Sequence, residues 1–398
     1  MATIAVVGTL DTKGTEHGYV AEAIRDLGHT PLLIDVGPTD HPQIPPDVRV
    51  SAIVPTFDAP KDRGACVAQV ADAASQFVAT LAKEGRIDGI VSLGGGGGTS
   101  IGTAIMRALP FGLPKVMVST LASGNTAHYV GTSDITMMPS IVDVAGLNRV
   151  SRTVFASAAR AVCAMAQGRT EMISSTDGER PLIVASMFGN TTDCVGTAQA
   201  ILEDRKYEVL VFHATGTGGQ TMETLIASGM VSGILDITTT EIADEVVGGV
   251  LTAGPNRLDA GSDANVPTVV VPGCVDMVNF GERATVPKKF KDRLFYQHNE
   301  QVTLMRTSPE ENRAIAEFIA RKLNRYATPP TVLLPLGGVS VISEPGGPFH
   351  DPEADGALFA TLKSQLDSRT PVIESPHAIN HPDFAQLCAQ TLLQALRD

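Results

Sequence analysis

The stretch Ser92-Leu93-Gly94-Gly95-Gly96-Gly97-Gly98-Thr99-Ser100 decides how this 398-residue chain is read. It follows an apolar run from Ile87 to Leu93 and precedes Ile101, Ile105 and Leu109, whose spacing of four predicts a helix. A strand that ends in glycines and opens a helix under hydroxyl residues suits an anion. Without Cβ atoms the backbone lets a phosphate reach N–H groups at the positive end of the helix. The other reading of the same loop is a close backbone crossing or a flexible connection.

Working outward, the same plan recurs. Ile4 to Thr9 is a continuous apolar run of the kind buried on both faces of a parallel sheet. The turn Leu10 to Thr15 leads to a helix carrying Val20, Ile24 and Leu27, and Leu32 to Val36 reads as the next strand. Lys115 to Thr120 is a further strand, followed by the small-residue turn Ala122 to His128. Ligands of open α/β sheets bind outside the carboxyl ends of strands. That placement groups Thr9, Asp11, Thr12, Gly94, Gly95, Gly96, Gly97, Gly98, Thr99, Ser119, Gly124 and Asn125 as the predicted phosphate-binding rim. Helix capping accounts for the Ser and Thr residues equally well. Residues 38–60 hold six prolines and read as a loop with at most a short strand at Ala52 to Val54, and Ser140 to Ala145 reads as a strand or a helix turn.

After Gly168, the segment Ser174 to Pro181 is the best linker in the chain. Beyond it, Pro181 to Ser186, Ala198 to Leu202 and Glu208 to Phe212 repeat the opening strand, helix and strand. The fold class expected is α/β, with two Rossmann-like subdomains over residues 1–178 and 179–398. Each is a mostly parallel sheet with helices on both faces, and internal duplication is one source of the match.

Composition narrows the partners. Thirty basic against 43 acidic residues leave a net charge of −13, which disfavours nucleic acid and anionic membranes. Any phosphate must be held by local dipoles and a few side chains. Five cysteines with no C-x-x-C pair fit reduced thiols in the cytoplasm. The opening residues read as a first strand, not a signal peptide, and no apolar run reaches membrane-spanning length.

In the second half, His213-Ala214-Thr215-Gly216-Thr217-Gly218-Gly219 lies between a strand and a helix. With Arg257 it forms a second candidate cradle, for a phosphate or carboxylate on a second ligand, although a structural role for His213 fits as well. Glu241 shares a helix side with Asp244 and Glu245, which suits a metal or a solvated first turn. Asp276 and Asn279 follow a strand-like segment, where catalytic groups tend to sit. Cys274 has no histidine near it in sequence. His350, His377 and His381 with Glu374 match no standard zinc spacing, so no metal is assigned. Ser308-Pro309-Glu310-Glu311 has the composition of a capped helix start.

These motifs together, Gly8 to Gly14, Ser92 to Thr99, Ser119 to Asn125, Thr239 to Glu241, Asp276 to Gly281 and His298 through Thr307, resemble the ATP-binding family of the tomato mosaic resistance protein and its uncharacterised microbial relatives. The resemblance implies a dimeric, two-subdomain protein with a nucleotide in the N-terminal half. A lesser likeness links Gly94 to Thr99 with the Gly-Gly-Asp-Gly-Thr loop of phosphofructokinase-like and NAD kinases. Glycine replaces the aspartate here, which argues against metal-assisted phosphoryl transfer on that plan.

The expected function is binding of a nucleotide, ATP with or without Mg, and an unassigned activity on a small metabolite between the halves. Glu241, Asp276, Asn279 and His298 are the candidate catalytic residues. The alternatives are a non-catalytic nucleotide-responsive protein acting through protein partners, and a metal-dependent hydrolase.

Overall fold

The computed structural model describes residues 1–39, 41–54, 63–173 and 180–397. Most of the predicted linker, residues 174–179, and residues 55–60 of the proline-rich loop lie outside them. The chain forms two compact units, Met1–Gly178 and Glu179–Asp398.

The first unit holds β1 (Thr3–Gly8), β2 (Thr30–Asp35), β3 (Gly89–Gly94), β4 (Lys115–Ser119) and β5 (Thr136–Pro139). They form one sheet in the order β2-β1-β3-β4-β5. Every pairing is parallel. Alternate residues of β1 feed two cores. Ile4 and Val6 pack with Val20, Ile24, Phe155 and Val162, while Ala5 and Val7 pack with Val70, Val78, Ile101 and Ile105. Helices therefore cover both faces, which is why these strands read as unbroken apolar runs.

The helix Arg63–Lys83 contains a 19-residue segment, Ala65–Lys83, long and apolar enough by composition to cross a membrane, contrary to the sequence reading. Its stripe of Cys66, Val70, Ala74, Val78 and Leu81 is nevertheless buried within this unit's core. Two local expectations are also corrected. Val50–Ile53 is a helical turn, not a strand, and after β5 ends at Pro139 residues 140–145 are irregular, neither strand nor helix.

The second unit continues with β6 (Leu182–Met187), β7 (Glu208–His213), β8 (Val231–Thr238) and β9 (Thr268–Gly273). Three shorter strands follow, β10 (Met277–Phe280), β11 (Phe295–Asn299) and β12 (Val302–Arg306). β13 (Thr331–Pro335) and β14 (Val372–Ser375) complete the chain. The main sheet runs β14-β13-β9-β8-β6-β7, so its first five strands in chain order repeat the arrangement of the first unit. A separate antiparallel sheet, β10-β12-β11, is inserted between β9 and β13. The helix after β12 starts as expected: the Ser308 side chain accepts from Glu311 N–H and the Glu311 side chain from Ser308 N–H.

Candidate functional site

In the first unit the order β2-β1-β3 reverses the direction of winding at β1 and β3, whose carboxyl ends define the crevice for ligands in such sheets. The glycine loop stands there. A Cβ at Gly94 would lie 2.7 Å from Gly98 Cα, so only glycine lets the helix Gly96–Arg107 start this close to the strand. The first bond inside that helix runs from Thr99 N–H to Gly95 O at 2.8 Å. The N–H groups of Gly96, Gly97 and Gly98 thus precede any intrahelical acceptor. Gly96 and Gly97 are exposed, and a Cβ on either would meet nothing within 4 Å.

The hydroxyl residues of the rim divide into two groups. Thr99 and Ser119 are buried and share a 2.7 Å hydrogen bond, and Ser119 Oγ also accepts from Leu121 N–H at 3.0 Å. They fasten the glycine loop to the turn after β4. Thr9 and Thr12, with hydroxyls 3.2 Å apart, lie at the solvent side of the first turn. Asp11 Oδ2 accepts from the Thr39 hydroxyl at 3.0 Å. Its Oδ1 is buried with no hydrogen-bond partner among the described residues. Gly124 donates its N–H to Leu121 O, and exposed Asn125 accepts from Ala127 N–H at 3.1 Å, a side-chain turn that starts a short helix.

A cavity of about 310 Å³ opens beside this loop, lined by Ser119, Thr120, Ser123, Ser140, Ile141 and Asp143 among others. The Thr120 hydroxyl stands 3.7 Å from where a Cβ on Gly95 would sit, which links the cavity to the loop. Ile141 lines it with φ at +66°, and Val142 N–H donates to Ser140 O at 2.7 Å across it. This is the strained form of a three-residue turn, imposed here on a β-branched side chain that is 74% exposed. Such strain costs on the order of 1–3 kcal/mol and collects at functional rims. The proline before Ser140 marks the strand end in the sequence, but nothing there signals the turn.

The second unit gives the predicted cradle a different occupant. Glu241 Oε1 accepts from Gly216 N–H at 2.7 Å and from Gly219 N–H at 3.0 Å. A Cβ on Gly219 would lie 2.0 Å from Glu241 Oε2, so the carboxylate fills the space an outside anion would need. Arg257 is likewise spent inside. It meets Asp236 through two bonds of 2.6 and 2.7 Å, Glu241 at 2.9 Å and Glu223 at 3.1 Å, and is 1% exposed. Burial works against its charge, yet the three carboxylates hold its pKa well above the ordinary value. The sequence reading missed Asp236 and Glu223. A signal for Asp236 existed, since an acid within Ile234-Leu235-Asp236-Ile237 on a doubly covered strand requires a partner.

Of the remaining cradle residues, His213 is exposed at the end of β7, its ring 5.5 Å from Phe188. Thr217 and Gly218 open the helix Thr217–Ala227.

The candidate catalytic residues do not converge on one opening. Asn279 sits inside β10, opposite Leu304, not at the carboxyl end of a main-sheet strand. Its backbone N–H donates to Asp244 Oδ1 at 2.7 Å and its Nδ2 to Thr240 at 3.2 Å. Asp276 is fully buried, and its Oδ2 accepts from Ser340 Oγ at 2.8 Å. Burial pushes the carboxyls of both Asp276 and Asp244 up to about 7, against the opposing pull of Arg306 on Asp276 and of Asn279 N–H on Asp244. His298 is exposed on β11, at a bulge between Gln297 and Asn299.

Among the C-terminal histidines, His377, His381 and Asp383 bring donor atoms within 4.8 Å of one another. The two rings stack at 3.9 Å and 12°, so one ion cannot lie in the plane of both as they stand. His381 Nδ1 also accepts from Asp383 N–H, Glu374 pairs with Lys363, and His350 bonds Ser343 O on another loop.

These features define a protein of two parallel α/β units, each built on the same strand order. The chain belongs to the uncharacterised protein family UPF0261, matching its N-terminal domain over residues 2–171 and its C-terminal domain over residues 180–396. It is 46% identical to a UPF0261 protein of Clostridium tetani over 401 residues, covering 99% of this chain and 98% of that one. A UPF0261 protein of Rhizobium meliloti is 48% identical over 397 residues, covering 97% of each. The ToMV resistance protein Tm-1(GCR237) of Solanum lycopersicum is 44% identical over 337 residues, which cover 83% of this chain and 45% of that protein.

Proposed function

We propose that the N-terminal unit binds a nucleotide, ATP with Mg, with its phosphates on the glycine loop. The observation that carries this reading is the open ground in front of Gly96 and Gly97, at the start of a helix and beside the serine-lined cavity. Three N–H groups without intrahelical acceptors and the helix dipole suit phosphate oxygens, and the cavity supplies hydroxyls for the rest of the ligand. Half-buried Thr9 and exposed Thr12 add hydroxyls at the turn after the neighbouring strand. Bound ATP would bring a triphosphate whose charge this acidic chain holds by dipoles and not by a basic patch.

The reading is of binding, not turnover. Glu241, Asp276 and Asn279 are all at most 1% exposed and bonded within the second unit, which favours a nucleotide-responsive protein acting through partners.

Calorimetric titration of ATP with Mg into the full chain tests the site. The double variant Gly96→Val, Gly97→Val places side chains in the open ground without touching the core. ATP affinity should fall at least about tenfold, the loss of roughly 1.4 kcal/mol of phosphate contact. Undiminished affinity would overturn the assignment.

A further inference from the structure

A second cavity, of about 280 Å³, lies wholly within the C-terminal unit at the carboxyl end of β13. Its apolar wall includes Leu336, Pro345 and Phe359, and its polar groups include His350 and Asp355. None of these belongs to the cradle or the catalytic set read from the sequence.

The hydrogen-bond inventory of this cavity is one-sided. The N–H groups of Leu336, Gly337 and Gly338 are already given to Ser375 O, His377 O and Pro335 O, and the Ser343 hydroxyl donates to Ser340 O. Acceptors remain. His350 Nδ1 lies 3.1 Å from Ser343 O, and since a carbonyl only accepts, Nδ1 carries the proton of the neutral ring. Its Nε2 is left as an acceptor.

Asp355 is 8% exposed and binds Arg306 Nη2 through Oδ1 at 2.6 Å. Its Oδ2 accepts no hydrogen bond among the described residues. Arg306 is itself saturated, bonding Phe349 O at 2.8 Å and Asp351 O at 3.2 Å, so it fixes the backbone on both sides of His350 as well as the acid. Charge points the same way as the acceptors, because Asp351, Glu353 and Asp355 all stand in the first turn and cap of the helix Pro352–Gln365.

We propose that this cavity is a binding site for a small primary amine, its ammonium held by Asp355 Oδ2 and His350 Nε2 and its apolar body against Leu336, Pro345 and Phe359. A carboxylate whose second oxygen is left without a donor, a second acceptor of fixed tautomer, and a lining without spare donors complement an ammonium and repel an anion. The site is independent of the nucleotide reading, which concerns residues of the other unit only.

Gly356 supplies the test. It lines the cavity from the helix, and a Cβ there would meet nothing within 4 Å. Gly356→Leu therefore fills the cavity while raising helix propensity, and folding should be kept. Ligand-observed NMR titration of the full chain would use isopentylamine, with isopentanol and isovalerate as matched neutral and anionic probes. The amine should bind, and the alcohol and the acid should bind at least about tenfold more weakly, as for loss of one charge-assisted contact. Binding should vanish in Gly356→Leu and weaken at least about tenfold in Asp355→Asn, whose amide keeps an oxygen for Arg306. Equal binding of alcohol and amine would replace the ammonium by a hydroxyl ligand. Preference for isovalerate, no amine binding, or full binding by Gly356→Leu would overturn the site.

Discussion

Arg257→Met is expected to destabilise the C-terminal unit by about 3–5 kcal/mol, read as the shift of its urea unfolding midpoint. The substitution leaves Asp236 and Glu241, each at most 1% exposed, without the cation that meets both, and Glu223 loses the same partner. Glu241 keeps the N–H groups of Gly216 and Gly219, and Asp236 keeps the Ser186 hydroxyl at 2.6 Å, so the unit should fold under native conditions but with a smaller margin. Adding Asp236→Asn to Arg257→Met should recover part of the loss, because it removes one of the buried charges left unpaired. A single-variant loss below about 1 kcal/mol would contradict the central position given to this cation.

Stability of the same unit is expected to fall as pH rises from 5 to 7. Asp244 and Asp276 have carboxyls pushed up by burial to about 7, whereas in the unfolded chain they ionise near 4. Between those values the folded state holds more protons than the unfolded one, so ΔG of unfolding decreases with pH. The stabilisation is complete below about pH 4 and is lost as pH passes through 7. Asp355 and Glu223, also raised by burial, act with the same sign. In the first unit, buried His17 has its pKa lowered by burial and acts with the opposite sign below its ordinary 6.5.

Two protons over two pH units correspond to roughly 2–5 kcal/mol after allowance for partial titration. Urea melts at pH 5, 6 and 7 measure it, and Asp244→Asn should remove about half the slope. A transition that strengthens over this range would contradict buried neutral carboxyls at these positions.

The sheets are legible because doubly covered parallel strands leave a clear trace: Ile4 to Val7 and Val269 to Val271 are apolar without alternation. The capping box at Ser308 was legible for a local reason, four residues that satisfy one another. What escaped was set by contacts distant in sequence. Pattern alone does not separate the inserted antiparallel sheet from the main one, so the sequence points to a strand end for Asn279, which lies in mid-strand. The turn Gly216 to Gly219 has N–H groups that meet an anion, but nothing local in the sequence shows that Glu241, 22 residues beyond Gly219, is the one they meet. Strand order puts Thr99 and Ser119 on the rim, yet their hydroxyls bond each other across 20 residues of chain. Residue type shows what a site can bind; only the packing shows whether the chain has already supplied it.

Photolabelling with 8-azido-ATP, followed by peptide mass spectrometry of the full chain, tests the central claim most directly. Labelled peptides should fall within residues 1–173, including the segment from Ser119 to Asp143 that lines the cavity, and excess ATP should suppress them. Labelling confined to residues 180–397, or none that ATP competes away, would contradict nucleotide binding at the glycine loop.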